Sequence, residues 1–125
     1  MTRPCFALPA VLATLALTAF GNDSACSCDL IQAESICIEY SALDNPLYRL
    51  QLESTCENSL SSLCTTLGGA YEMDVACPTD DLVAECEIEI ATYADTKYYY
   101  SVGAEPYAST DPDFEEDCGG TVSLY

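Results

Sequence analysis

Histidine and tryptophan are absent from this 125-residue chain, and lysine and arginine together number only three. Without histidine there is no Ser-His or Cys-His nucleophile pair and no His-ligated zinc. Three cations against 21 carboxylates, a formal net charge of −18, exclude nucleic acid and anionic membrane surfaces as partners. A phosphate-binding glycine loop is missing too: Gly68-Gly69 and Gly119-Gly120 follow helical segments, where they act as stops, and do not precede them. Long apolar runs are confined to the N-terminus. There Arg3 precedes the run Phe6 to Phe20, interrupted only by Pro9 and two threonines. That run is shorter than the ~20 residues a membrane span needs, and Ala19-Phe20-Gly21 places small residues around a cleavage site. Residues 1–21 therefore read as a secretory signal peptide. Lipid attachment at Cys26 would need an aliphatic residue three positions earlier, where Asp23 stands. The expected localisation is secreted, extracellular or periplasmic, with no membrane span in the mature chain.

What the chain does contain is cysteine. Of nine, Cys5 lies in the leader and eight remain, an even number that reads as a disulfide framework in an exported domain. All 21 carboxylates also remain, against two cations, Arg49 and Lys97. This balance suits solubility or a high-salt medium, and it attracts cations, including Ca²⁺ or a basic partner. Asn22-Asp23-Ser24 fits a glycosylation sequon.

Cysteine spacing suggests an internal repeat. Cys28 to Cys37 and Cys77 to Cys86 share one interval, and each is followed by a further cysteine near a Gly-Gly pair: Cys64 with Gly68-Gly69, and Cys118 with Gly119-Gly120. Cys26-Ser27-Cys28 is read as two separate bridges leaving one extended segment, the alternative being a redox pair. Residues 35–41 suit a strand, and Asp44-Asn45-Pro46 supplies a turn, so that 47–52 returns as a hairpin strand. Cys56, Leu60, Leu63, Cys64 and Leu67 have helical spacing, with Ser54 and Glu57 as a capping box and Gly68 as the stop. Residues 70–76 read as a strand. The second unit opens with a turn at 79–81, then Ala84, Cys86, Ile88 and Ile90 alternate with Glu85, Glu87 and Glu89, the clearest strand pattern in the chain. A loop at 93–96 leads to a partner strand over 97–102, in one register of which Lys97 opposes the glutamate row. Asp111-Pro112 starts a short helix on which Phe114 and Cys118 share a face, and 121–125 closes the chain as a strand. Cys37 does not fit the match cleanly, since it shares a strand face with Glu39 whereas Cys86 lies on an apolar face.

The expected fold is thus a small α+β, disulfide-rich domain built from two ββαβ-like repeats, 22–76 and 77–125 in one compact domain, with an antiparallel sheet and two short helices. Equivalence of the units suggests the bridges Cys37–Cys64, Cys86–Cys118, Cys28–Cys77 and Cys26–Cys56, one of the 105 pairings that eight cysteines allow.

Cys37 followed by Ile38-Glu39-Tyr40, Cys64 with Leu67-Gly68-Gly69-Ala70-Tyr71, Cys77-Pro78, Leu82-Val83-Ala84 before Cys86, Lys97-Tyr98-Tyr99-Tyr100 and Cys118-Gly119-Gly120 together resemble the small cysteine-rich modules of exported bacterial proteins of unknown function. The resemblance covers nearly all of the mature chain and implies export and bridges, without an activity.

No catalytic site is predicted. The first functional reading is a non-catalytic binding or cell-envelope module presenting Tyr98, Tyr99, Tyr100 and Tyr107 to a protein or glycan. The second is a calcium-stabilised module with Asp111, Asp113, Glu115 and Glu116 as oxygen ligands, although the spacing and central glycine of an EF-hand are missing; no other cofactor is expected. The third is a small thiol–disulfide oxidoreductase using Cys26 and Cys28.

Overall fold

The computed structural model describes residues 24–43, 46–111 and 113–125. The leader read over residues 1–21 and the sequon residue Asn22 lie outside them, as do turn residues Asp44 and Asn45 and the helix-start residue Pro112. The chain forms a six-stranded antiparallel sheet in the order β3-β1-β2-β5-β4-β6. Its strands are β1 (Ser24–Leu30), β2 (Ile36–Ala42), β3 (Ala70–Met73), β4 (Leu82–Ile90), β5 (Tyr93–Tyr100) and β6 (Thr121–Leu124). Helix α1 (Ile31–Glu34) is a single turn between β1 and β2. A long helical stretch follows: α2 (Pro46–Thr55), a π-helical segment (Cys56–Leu60) and α3 (Ser61–Leu67). Helix α4 (Asp113–Asp117) is short.

Register gives each face its character. Tyr71, Cys28, Ile38, Lys97, Cys86 and Val122 form one row across all six strands. This face is covered by α2–α3 over β1 and β2, where Leu52, Cys56, Leu60 and Cys64 meet Cys26, Cys28, Leu30, Ile36, Ile38 and Tyr40 in the main core. The neighbouring row on the opposite face runs Ala70, Asp29, Cys37, Tyr98, Glu85 and Ser123. There the 74–81 loop lies against Cys37 and the fully buried Tyr100, forming a second, smaller core.

Several expectations are corrected. Residues 47–52 belong to α2 and are not a strand; the second neighbour of β2 is β5. Leucines at 47, 50 and 52 serve a helix as readily as a strand, and only Leu52 is buried. Helical structure begins at Pro46, so Ser54 and Glu57 sit inside it and form no capping box; Ser54 Oγ instead accepts from Asn58 Nδ2 at 3.2 Å. Gly68, at φ +79, does end the helix, its N–H returning to Thr65 O. The β4–β5 turn is the two residues Ala91 and Thr92, with Ala91 in the left-handed region at φ 52, so β5 begins at Tyr93 and ends at Tyr100 instead of spanning 97–102. Lys97 consequently stands opposite Cys86, while Thr96 and Tyr98 oppose Glu87 and Glu85.

The bridges join Cys26 to Cys56, Cys28 to Cys64, Cys37 to Cys77 and Cys86 to Cys118. The expected Cys37–Cys64 and Cys28–Cys77 pairs are therefore exchanged. The reason is facial: Cys28 points to the helices with Cys26, whereas Cys37 points away from them, where Cys64 cannot reach. The shared interval also marks positions of different kind, since Cys28 and Cys37 lie in β1 and β2 while Cys77 lies in a loop and Cys86 in β4. Four bridges suit an oxidising compartment. Among the described residues, no helix is long and apolar enough to cross a membrane.

Candidate functional site

Tyrosines from the Lys97–Tyr100 run separate according to strand alternation. Tyr99 faces the helix side, while Tyr98 and Tyr100 face the 74–81 loop. Tyr100 is fully buried, and its hydroxyl donates to Pro78 O at 2.7 Å, so it presents nothing to a partner. Tyr98 is half-buried beside Glu39 and Glu85; burial first, and then those carboxylates, raise its phenol well above the ordinary value of 10.

Tyr99 meets Tyr107 and Phe114. Ring centroids are 4.9 Å apart for Tyr99–Tyr107, 4.8 Å for Tyr99–Phe114 and 5.8 Å for Tyr107–Phe114, all edge-on or tilted. Such geometry matches the quadrupoles of the rings. Each ring arrives by a different route. Tyr99 is held by β5, and Tyr107 by its backbone N–H, which donates to Tyr100 O at 2.9 Å. Phe114 is carried on α4, which the Cys86–Cys118 bridge fastens to β4.

Beside the rings opens a cleft of about 260 Å³ lined by Lys97, Tyr99, Tyr107, Asp111, Phe114 and Asp117. Phe114 is its buried floor; Lys97 and Asp117 are exposed at its rim. The Lys97 ammonium stands 5.9 Å from the centre of the Tyr99 ring, within cation–π range. Burial raises the phenols of Tyr99 and Tyr107, and nearby charge adds to it: Asp117 for Tyr99, and Glu105, Glu34 and Asp111 for Tyr107. Both hydroxyls, like any phenol at neutral pH, can donate hydrogen bonds to a ligand. A second cleft of about 320 Å³ lies between α1 and the end of α3, lined by Asp29, Leu30, Gln32, Ala33 and Gly68–Ala70; it has no aromatic wall.

The acidic residues proposed as calcium ligands are dispersed in role. Asp111 Oδ2 accepts from Ala108 N–H at 2.9 Å and closes a turn; Glu115 and Glu116 are exposed; the side chain of Asp113 lies outside the described residues. Among the described residues, no group of three or more His, Cys, Asp or Glu side chains is placed to hold a metal ion. Cys26 and Cys28, the residues of the oxidoreductase alternative, are each fully buried and bonded to different cysteines, Cys56 and Cys64, of the helical stretch.

Sequence reasoning included Tyr99 and Tyr107 but missed Lys97, Phe114 and Asp117 as their companions. The available signal was Phe114 and Cys118 on one helix face, which tied Phe114 to wherever Cys86 lay. It also missed Glu39, which is buried at 6% exposure. Glu39 Oε2 accepts from Ser24 Oγ (2.7 Å) and Ser41 Oγ (3.0 Å), while Oε1 accepts from Cys77 N–H (2.8 Å). Two hydroxyls and an amide thus compensate the burial of this carboxyl group. Compared with known protein families, curated proteins and solved structures, the chain matches none.

Proposed function

We propose that the chain is an exported, non-catalytic binding module, and that the aromatic cleft beside β5 is where it engages its ligand. The observation that carries this reading is the convergence of Tyr99, Tyr107 and Phe114 around a cleft rimmed by charged groups of both signs. Small-ligand sites characteristically combine an apolar wall with a few placed polar groups. The four bridges and the expected leader support export, and the chemistry absent from the sequence supports a non-catalytic role. Duplication of a ββαβ unit belongs to the same proposal: the strand order β3-β1-β2-β5-β4-β6 reads symmetrically about the β2–β5 junction. In that arrangement Cys28–Cys64 and Cys86–Cys118 correspond.

An amide-resolved NMR titration of the disulfide-intact protein with small probes of different charge and hydroxylation tests the cleft. Shifts are expected at Tyr99, Tyr107, Phe114 and their neighbours. Shifts concentrated instead around Gln32 and Gly69, or on the Glu85–Glu89 face, would move the site elsewhere.

A further inference from the structure

The cleft already contains a clue to the chemistry it takes. Lys97 occupies the centre of the sheet row that otherwise holds Cys28, Ile38, Cys86 and Val122, yet its side chain is exposed, because the cleft opens beside it. Its ammonium stands over Tyr99. Asp111 and Asp117 line the same space, and Asp111 uses its Oδ2 for the Ala108 amide. We infer that the cleft is a receptor for an organic ammonium group, a lysine side chain of a partner or a free polyamine, and that Lys97 is its internal stand-in, displaced when the ligand arrives. This inference rests on the reading of the cleft as the binding site and adds the ligand class.

Three physical arguments favour this class over a neutral sugar or an anion. An ammonium over an aromatic face is attracted by the ring quadrupole, and the structure holds one there. Carboxylates on the rim supply the hydrogen-bond acceptors that an ammonium requires and an anion does not tolerate. A net charge of −18 concentrates cations around the molecule and repels anions, raising encounter rates for a cationic ligand alone. The carboxylates by themselves would mark only a solvated surface. The aromatic wall with an ammonium already over it distinguishes this place from the rest of the acidic exterior.

Displacement makes an unusual prediction. Removing Lys97 should strengthen binding of a cationic ligand, because the competitor is lost, whereas a lysine that grips a ligand would weaken binding on removal. The test titrates the disulfide-intact wild type, Lys97→Met and Asp117→Asn with four probes at constant ionic strength: tetramethylammonium, spermidine, a capped lysine peptide and a methyl glycoside. Both substitutions are at exposed side chains, and the amide spectrum reports folding in the same experiment. Expected are shifts at Tyr99, Tyr107 and Phe114 with the ammonium probes, a gain in affinity of about two- to fivefold in Lys97→Met, and weaker binding in Asp117→Asn. Preference for spermidine over the capped lysine assigns the ligand to a free polyamine, and the reverse assigns it to a partner side chain. A cleft that answers to the glycoside and not to the ammonium probes overturns the ligand class while leaving the site standing. No response at the cleft to any probe overturns the site as well, and unchanged or weakened binding in Lys97→Met overturns the stand-in role.

Discussion

Tyr40 illustrates how single side chains couple this fold to pH. Its ring lies 5.1 Å from that of Tyr93, and burial, followed by the charge of Asp95, pushes its phenol from 10 up to about 12. Just past the edge strand β6, Tyr125 donates to Glu85, a hydrogen bond that, with some burial, also pushes it to about 12. Tyr98 and Tyr100 are raised as well, in each case mainly by burial. Folded and unfolded chains therefore differ in protons bound once the unfolded phenols titrate. Stability is fully present below about pH 10 and is lost as pH rises from there through about pH 12. Urea melts across that range should show the midpoint falling with pH, and Tyr40→Phe should flatten the fall. An unchanged slope in that variant would mean that Tyr40 ionises as freely in the native protein as in the unfolded chain.

Elements are fastened mainly by position of cysteine relative to sheet face. Cys26 and Cys28, two apart on β1, deliver two bridges to the same helical stretch, whereas Cys37 alone reaches the 74–81 loop. That loop is also held by the amide of Cys77 on Glu39 and by Pro78 O on Tyr100. Replacing both Cys37 and Cys77 by alanine should cost about 2–4 kcal/mol, with hydrogen-exchange protection lost first at the Cys77 amide while the β4–β5 hairpin keeps its own. Simultaneous loss across the sheet would instead make the loop part of the cooperative core. These elements were unequally legible in the sequence. β4 was plain because its glutamates alternate with apolar residues in a sheet whose two faces differ. β1 was only an extended polar segment, because Ser24 and Ser27 are buried along with Ala25 and Cys26, and no alternation survives when both faces are covered. α2 was misread because Leu47 and Leu50 point to solvent, at 64% and 65% exposure, leaving Leu52 without an apolar stripe around it. The cleft was hidden for a different reason: Tyr99, Tyr107 and Phe114 sit on a strand, a loop and a short helix that share no periodicity, and the return of the 101–111 loop with the Cys86–Cys118 bridge brings them together.

The whole molecule carries 21 carboxylates and three cations, and among the described residues few of the carboxylates face a cation. Arg49 is bonded to Asp74, and Lys97 leans on an aromatic ring. Glu85 and Glu87 lie in successive rows of one sheet face, with Glu39 buried two strands from Glu87. Like charges held this close repel more in the compact state than in an expanded chain. Added salt shortens the range of that repulsion from about 10 Å at 0.1 M to about 3 Å at 1 M. The melting temperature should therefore climb with sodium chloride over this interval, and ~1 kcal/mol of relieved repulsion would raise it by about 4–8 °C in a domain of this size. Sodium sulfate would confound the measurement by strengthening apolar burial in its own right, so chloride is the salt to use. A melting temperature that stays level or falls with sodium chloride would mean that solvent already screens the carboxylates from one another. In that case the negative field invoked for cation capture at the cleft would also be weak, and the ammonium probes should bind with little dependence on ionic strength.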